Sequence, residues 1–153
     1  MNGSVQRIAL GRPVVEPSAT GAVALADAYW AEVRRATGGL VRARRTRGGV
    51  ELLLGRITLF RFGPPRATAV DGAIECRFPI AGGLLAKEEG GSLAFVQRVR
   101  PPELEVSVED YVPRLSSIRE RPSLRRFVYR QVQERAHVAI GRRYLARMAA
   151  RSQ

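Results

Sequence analysis

Cysteine, histidine, lysine and tryptophan each occur once in these 153 residues, as Cys76, His137, Lys87 and Trp30. A lone cysteine excludes an internal disulfide, and one cysteine with one histidine excludes the Cys/His clusters that hold structural zinc. Cys76, on an alternating strand, is expected in the core. Long apolar runs are missing as well, and none approaches the ~18 residues that a membrane-crossing helix needs. Arg7 and Arg12 bracket only a short apolar stretch near the N-terminus. No secretory signal core is therefore expected, and a cytoplasmic protein is the expectation. There is no phosphate-binding glycine-rich loop, no dinucleotide fingerprint, no CxxC and no HExxH. Neither a metal nor a cofactor is implied.

What the chain does hold is arginine. Of its 26 basic residues only Lys87 is a lysine, against 14 acids, and the formal charge is +12. The guanidinium fork suits carboxylate and phosphate, so an anionic partner is allowed; a compositional bias toward arginine is the bland alternative. The excess is uneven. Residues 1–47 hold eight arginines against three acids, residues 48–118 eight basic residues against nine acids, and residues 119–153 ten arginines against two acids. The helix-rich ends are thus positive and the middle is balanced.

Hydrophobic spacing gives the order of elements. Val5 to Leu10 predicts a short strand. Ser18 or Thr20 can cap a helix over Gly21 to Thr37, where Ala22, Leu25, Ala26, Tyr29, Val33 and Ala36 recur at helical intervals and Gly38-Gly39 stops it. From Leu40 to Tyr111 the period becomes two. Strands are predicted at Leu40 to Arg47, Val50 to Phe62 (bent at Gly55), Arg66 to Val70, Ala73 to Ile80, Leu84 to Lys87, Ser92 to Arg100 and Leu104 to Tyr111. Gly48-Gly49 and Asp71-Gly72 read as hairpin turns. Ser123 then caps a helix running to the C-terminus. Its wheel puts Leu124, Phe127, Val128, Val132, Val138, Ala139 and Leu145 on one broad face, interrupted by Gln131, Arg135 and Arg142. Gly141 inside it disfavours helix by about 1 kcal/mol relative to alanine, and suggests a bend or a close approach of the sheet.

This succession of strand, helix, six or so antiparallel strands and long C-terminal helix resembles the helix-grip arrangement of the START-like (SRPBCC) superfamily. That superfamily includes Bet v 1-type allergens, polyketide cyclases and aromatases, and lipid-transfer domains. The resemblance runs from Val5 to Met148 and rests on element order. It implies an α+β fold forming one domain over residues 1–153, a curved antiparallel sheet of six to seven strands wrapped around the last helix. Members often place two short helices between the first two strands, where this sequence shows one.

The same resemblance puts Gln131 and Arg135 on the wall of a cavity between sheet and helix. Arg142 lies on the same stripe, and Gln97 and Arg61 are the sheet residues placed to meet them. A buried guanidinium needs a partner, so a small apolar or amphipathic ligand with an anionic end would fit. Alternatively the helix arginines reach the rim, or pair with Glu105, Glu109 or Asp110. Two other classes stay open. A cyclase, aromatase or dehydratase would draw on Tyr111, Tyr129, Arg135 and His137, with no roles assigned; His137 is expected on the helix flank, away from the stripe. A basic nucleic-acid or protein-interaction module would use Arg125, Arg126, Arg130, Arg143, Arg147 and Arg151 on the outer side, although no strand platform of stacking aromatics accompanies them.

Overall fold

The computed structural model describes residues 4–84, 90–109 and 124–153, with only the backbone described for 124–134. The chain runs β1 (Ser4–Ala9), α1 (Ala19–Ala36), β2 (Val41–Thr46), β3 (Gly49–Leu54), β4 (Ile57–Phe62), β5 (Arg66–Val70), β6 (Ala73–Gly82), β7 (Ser92–Val99), β8 (Pro102–Glu109) and α2 (Leu124–Arg151).

Local chemistry fixes the ends of α1. The Ser18 hydroxyl accepts a hydrogen bond from the Gly21 N–H at 3.2 Å, satisfying one of the orphan donors of the first turn. Past Thr37, Gly38 and Gly39 take positive φ of 64° and 87°, and Gly39 N–H returns to the Arg34 carbonyl at 2.7 Å. The expected long strand from Val50 to Phe62 is instead a hairpin. Gly55 at φ 61° and Arg56 form a two-residue turn that pairs Leu54 with Ile57. Asp71 and Gly72, both at positive φ, make the predicted turn from β5 into β6. The strand expected at Leu84 to Lys87 lies outside the described residues apart from Leu84.

All eight strands are antiparallel, in the order β1-β8-β7-β6-β4-β3-β2, with β5 beside the first half of β6. The sheet carries both helices, in the strand, helix, strands, helix order expected from the sequence. Its register aligns one inner face. Ile8, Leu104, Gln97 and Ile74 form one cross-strand row, and Gln6, Val106, Phe95 and Cys76 form the next. On β6 the predicted alternation holds: Ile74, Cys76, Phe78 and Ile80 are buried. Helix α1 packs on β2, β5, β6 and β7, and α2 on β1, β8 and α1.

Aromatic rings fill the space between these layers. Tyr29 meets Trp30, Phe95 and Tyr144 at centroid distances of 5.5, 5.0 and 5.4 Å, and Trp30 meets Phe62 and Phe78 at 5.5 Å each. The Tyr144 hydroxyl donates to the Leu25 carbonyl at 3.0 Å, joining the helices at their buried centre. Helix α2 follows β1 along its length: His137 meets Ser4, Gln6 donates to the Val138 carbonyl at 3.1 Å, and Gly11 N–H donates to the Ser152 hydroxyl at 3.0 Å. Gly141 permits the close approach anticipated for it, since a Cβ there would overlap the side-chain oxygen of Gln6.

Candidate ligand-binding site

Of the five residues singled out in the sequence, Arg61, Gln97, Arg135 and Arg142 are described to their side chains, and their environments differ. Gln97 lies on the inner face of β7 and is completely buried, but its amide is engaged by backbone. Its oxygen accepts from the Val14 and Val15 N–H groups at 2.8 and 3.2 Å, and its nitrogen donates to the Val15 carbonyl at 3.0 Å. It thereby fastens the connection between β1 and α1 over the sheet. Arg61 is exposed on β4, paired in register with Glu51, whose carboxylate binds Arg44 at 2.6 Å. Arg135 and Arg142 are exposed, and the side chain of Gln131 lies outside the described residues. The C-terminal half of α2 buries Gly141, Tyr144, Leu145 and Met148, spaced by three and four residues, and leaves Ala139 exposed. This buried face is rotated from the one the wheel gave, which carries Arg142 off the core. It also brings His137 inward against β1, where the sequence placed it on a flank.

Glu32 was passed over in the sequence and is a centre of charge in the fold. Its carboxylate is 1% exposed and sits on the buried side of α1, among Leu25, Tyr29 and Val33. Three arginines reach it: Arg35 and Arg147 at 2.7 Å and Arg143 at 3.5 Å. Arg143 and Arg147, expected on a solvated face, thus clamp α2 to α1. An acid at helical spacing inside an apolar stripe was the available signal, because such an acid must find cations. Of the carboxylates proposed for the helix arginines, Glu105 instead binds Arg7 and Arg98 at 2.8 and 3.0 Å. Burial works against its charge, but those two guanidiniums outweigh it and hold the carboxyl below its ordinary 4.5. Glu109 approaches Arg77 at 3.7 Å, and Asp110 lies outside the described residues.

The ligand-sized space is elsewhere. Between the C-terminal half of α1 and the β2-β3-β4 end of the sheet lies an open-mouthed depression of about 790 Å3. Trp30, Ala31, Ala43 and Leu53 give it apolar surface, Thr58 a hydroxyl, and Arg34, Arg42, Arg44, Arg45 and Arg56 its charge. Two of these arginines are matched by acids, Arg44 by Glu51 and Arg45 by Asp27. Arg34, Arg42 and Arg56 have no carboxylate partner among the described residues. The sequence signal was present in the basic run from Arg42 to Arg47 following the Arg34-Arg35 pair at a helix end. Counted only as charge over residues 1–47, it gave no hint that a helix terminus and a hairpin would bring those arginines around one hollow.

Other reactive groups are held apart from that hollow. Burial pushes the Cys76 thiol up to about 11 and raises the Tyr29 and Tyr144 phenols further. Among the described residues no cluster of His, Cys, Asp and Glu is arranged to hold a metal ion. No described helix is long and apolar enough to cross a membrane. His137, with Nε2 3.1 Å from the Ser4 hydroxyl, is lowered by burial from its ordinary 6.5. Because burial disfavours the charged ring in the folded protein, the unfolded chain takes the proton first as pH falls. The contribution of His137 is therefore complete above about pH 6.5 and declines below it. Replacement His137→Gln is expected to flatten the stability profile between about pH 7 and pH 5, a window above the titration of Glu105. Urea melts across that range test this, and an unchanged slope would contradict it.

No protein-family model matches the chain, and no curated protein matches its sequence. Among solved structures, the crystal structure of Ara h 8.0201 is similar, with 13% sequence identity, coverage of 97% of this chain and 98% of that chain, and a TM-score of 0.46.

Proposed function

We propose that the protein binds a small amphipathic molecule with an anionic end, without transforming it, and that the arginine-lined depression receives it. One observation carries the proposal: an open hollow of about 790 Å3 that joins apolar surface from Trp30, Ala31, Ala43 and Leu53 to Arg34, Arg42 and Arg56, which have no carboxylate partner among the described residues. Its size lies within the roughly 300–1,000 Å3 of ordinary small-molecule sites. Guanidiniums supply paired donors for a carboxylate, sulfonate or phosphate. Binding is favoured over acid–base chemistry because the lining holds arginines and one hydroxyl but no histidine, carboxylate or thiol. The helix-grip expectation of an apolar cavity with cationic groups is kept in chemistry and moved in place, from beneath Gln131 and Arg135 to the β2-β3-β4 end.

Trp30 is the only tryptophan and lines the hollow, so its emission reports occupancy. Titration with decanoate is expected to change that emission saturably, and decanol to bind more weakly. Arg42→Ala and Arg56→Ala should each reduce decanoate affinity about tenfold, the effect of one charge-assisted hydrogen bond of about 1.5 kcal/mol. If both variants bind as the parent does, while Gln131→Leu or Arg135→Leu abolishes binding, the ligand belongs beneath α2 and the assignment to the depression is wrong.

A further inference from the structure

Four exposed large hydrophobic residues gather at one end of the sheet. Leu40 precedes β2, Leu54 closes β3, Ile57 opens β4 and Leu84 follows β6, with exposures of 68, 40, 51 and 48%. The backbone makes them neighbours: Val41 pairs with Leu54, Leu54 pairs with Ile57, and Leu84 N–H donates to the Thr58 carbonyl at 3.0 Å. Single exposed leucines are ordinary, whereas several on adjoining strand ends make an apolar rim. Leu54 and Ile57 flank Gly55 and Arg56, which line the depression. Arg56 stands in the turn between Leu54 and Ile57, Arg42 lies two residues beyond Leu40, and Arg34 lines the same hollow from α1.

Apolar side chains set among cations with no carboxylate partner among the described residues fit the boundary between acyl chains and anionic headgroups. We infer that this end of the molecule docks on an anionic membrane surface. Leu40, Leu54, Ile57 and Leu84 enter the acyl boundary, and Arg34, Arg42 and Arg56 face the headgroups. A nucleic acid would match the arginines but leave the four apolar side chains in water, so the rim selects the membrane. Docking sets the mouth of the depression at headgroup level; its service to an amphipathic ligand rests on the function proposed above, and the docking itself does not.

Flotation with vesicles of phosphatidylcholine alone, or with about 30% phosphatidylserine, tests the inference on the full chain. Binding is expected only to the anionic vesicles and is expected to weaken with salt. The exposed pair Leu54→Ser and Ile57→Ser should lower it at least about tenfold, through lost insertion of apolar groups. Changing Arg34, Arg42 and Arg56 to alanine should lower it roughly a hundredfold, at about fivefold per basic residue. The serine variant should keep the parent's decanoate titration at Trp30, which separates docking from ligand binding. Equal binding to neutral vesicles, or full vesicle binding by the serine variant, would overturn the inference. Retention on duplex DNA without vesicle binding, indifferent to the serine changes, would overturn it in favour of a nucleic-acid partner. Vesicle binding with no response of Trp30 to decanoate would sink the ligand proposal and leave docking intact.

Discussion

Gln97→Leu is expected to lower folding stability by about 3 kcal/mol, although leucine suits the apolar face on which Gln97 lies. The glutamine amide is the partner of the Val14 N–H, the Val15 N–H and the Val15 carbonyl. Leucine would leave all three backbone groups unpaired, at about 1 kcal/mol or more each. The estimate stays at the low end because Val14 and Val15 are only partly buried, so water can reach some of these groups. A loss of that size is a large part of the 5–15 kcal/mol typical of a whole domain. The damage should also spread, because this connection delivers the chain to the Ser18 cap of α1. Chemical denaturation measures the effect, and a loss below about 1 kcal/mol would show that the amide is not the fastening of this segment.

The arginines around Glu32 should show a different pattern. Single changes Arg35→Ala, Arg143→Ala or Arg147→Ala are expected to cost little, since each side chain is about half exposed and the others remain. Removing all three leaves a fully buried carboxylate without a cation, at about 3–5 kcal/mol. The asymmetry of the network gives the check. Adding Glu32→Gln to the triple variant removes the stranded charge and should restore most of the loss, whereas arginines left without Glu32 can turn to water. Melts of the parent, triple and quadruple variants decide it. A quadruple variant no more stable than the triple would mean that the arginines act by packing their stems and not by charge.

Much of this architecture was legible because it rests on local periodicity. The burial of Ile74, Cys76, Phe78 and Ile80, the caps of α1 and the Asp71-Gly72 turn all follow from spacing and turn chemistry. The sequence around Gly55 reads as a bent strand because apolar residues resume directly after Gly55-Arg56, and one glycine cannot distinguish a bend from a reversal. In the described C-terminal half of α2 the buried face keeps Leu145 but departs from the wheel at Ala139 and Arg142, for a related reason. The apolar residues of its first half weighed most in the wheel, and the small Gly141 and the amphipathic Tyr144, buried in its second half, carry a weaker signal. The candidate site was the least legible part. Arg34, Arg42 and Arg56 come from a helix end, a strand and a turn, and only the three-dimensional pairing of β2, β3 and β4 brings them around one hollow.

The most direct test of that hollow is a residue-resolved one. Two-dimensional amide NMR of the labelled protein during decanoate titration should move signals from residues 30–34, 42–45 and 53–58, the segments that line the depression. Signals from Phe95, Tyr144 and Leu145, buried between sheet and α2, should stay in place. Shifts confined to α2 and the inner face of β7, or no saturable shifts at the β2-β3-β4 end, would contradict the assignment of ligand binding to the arginine-lined depression.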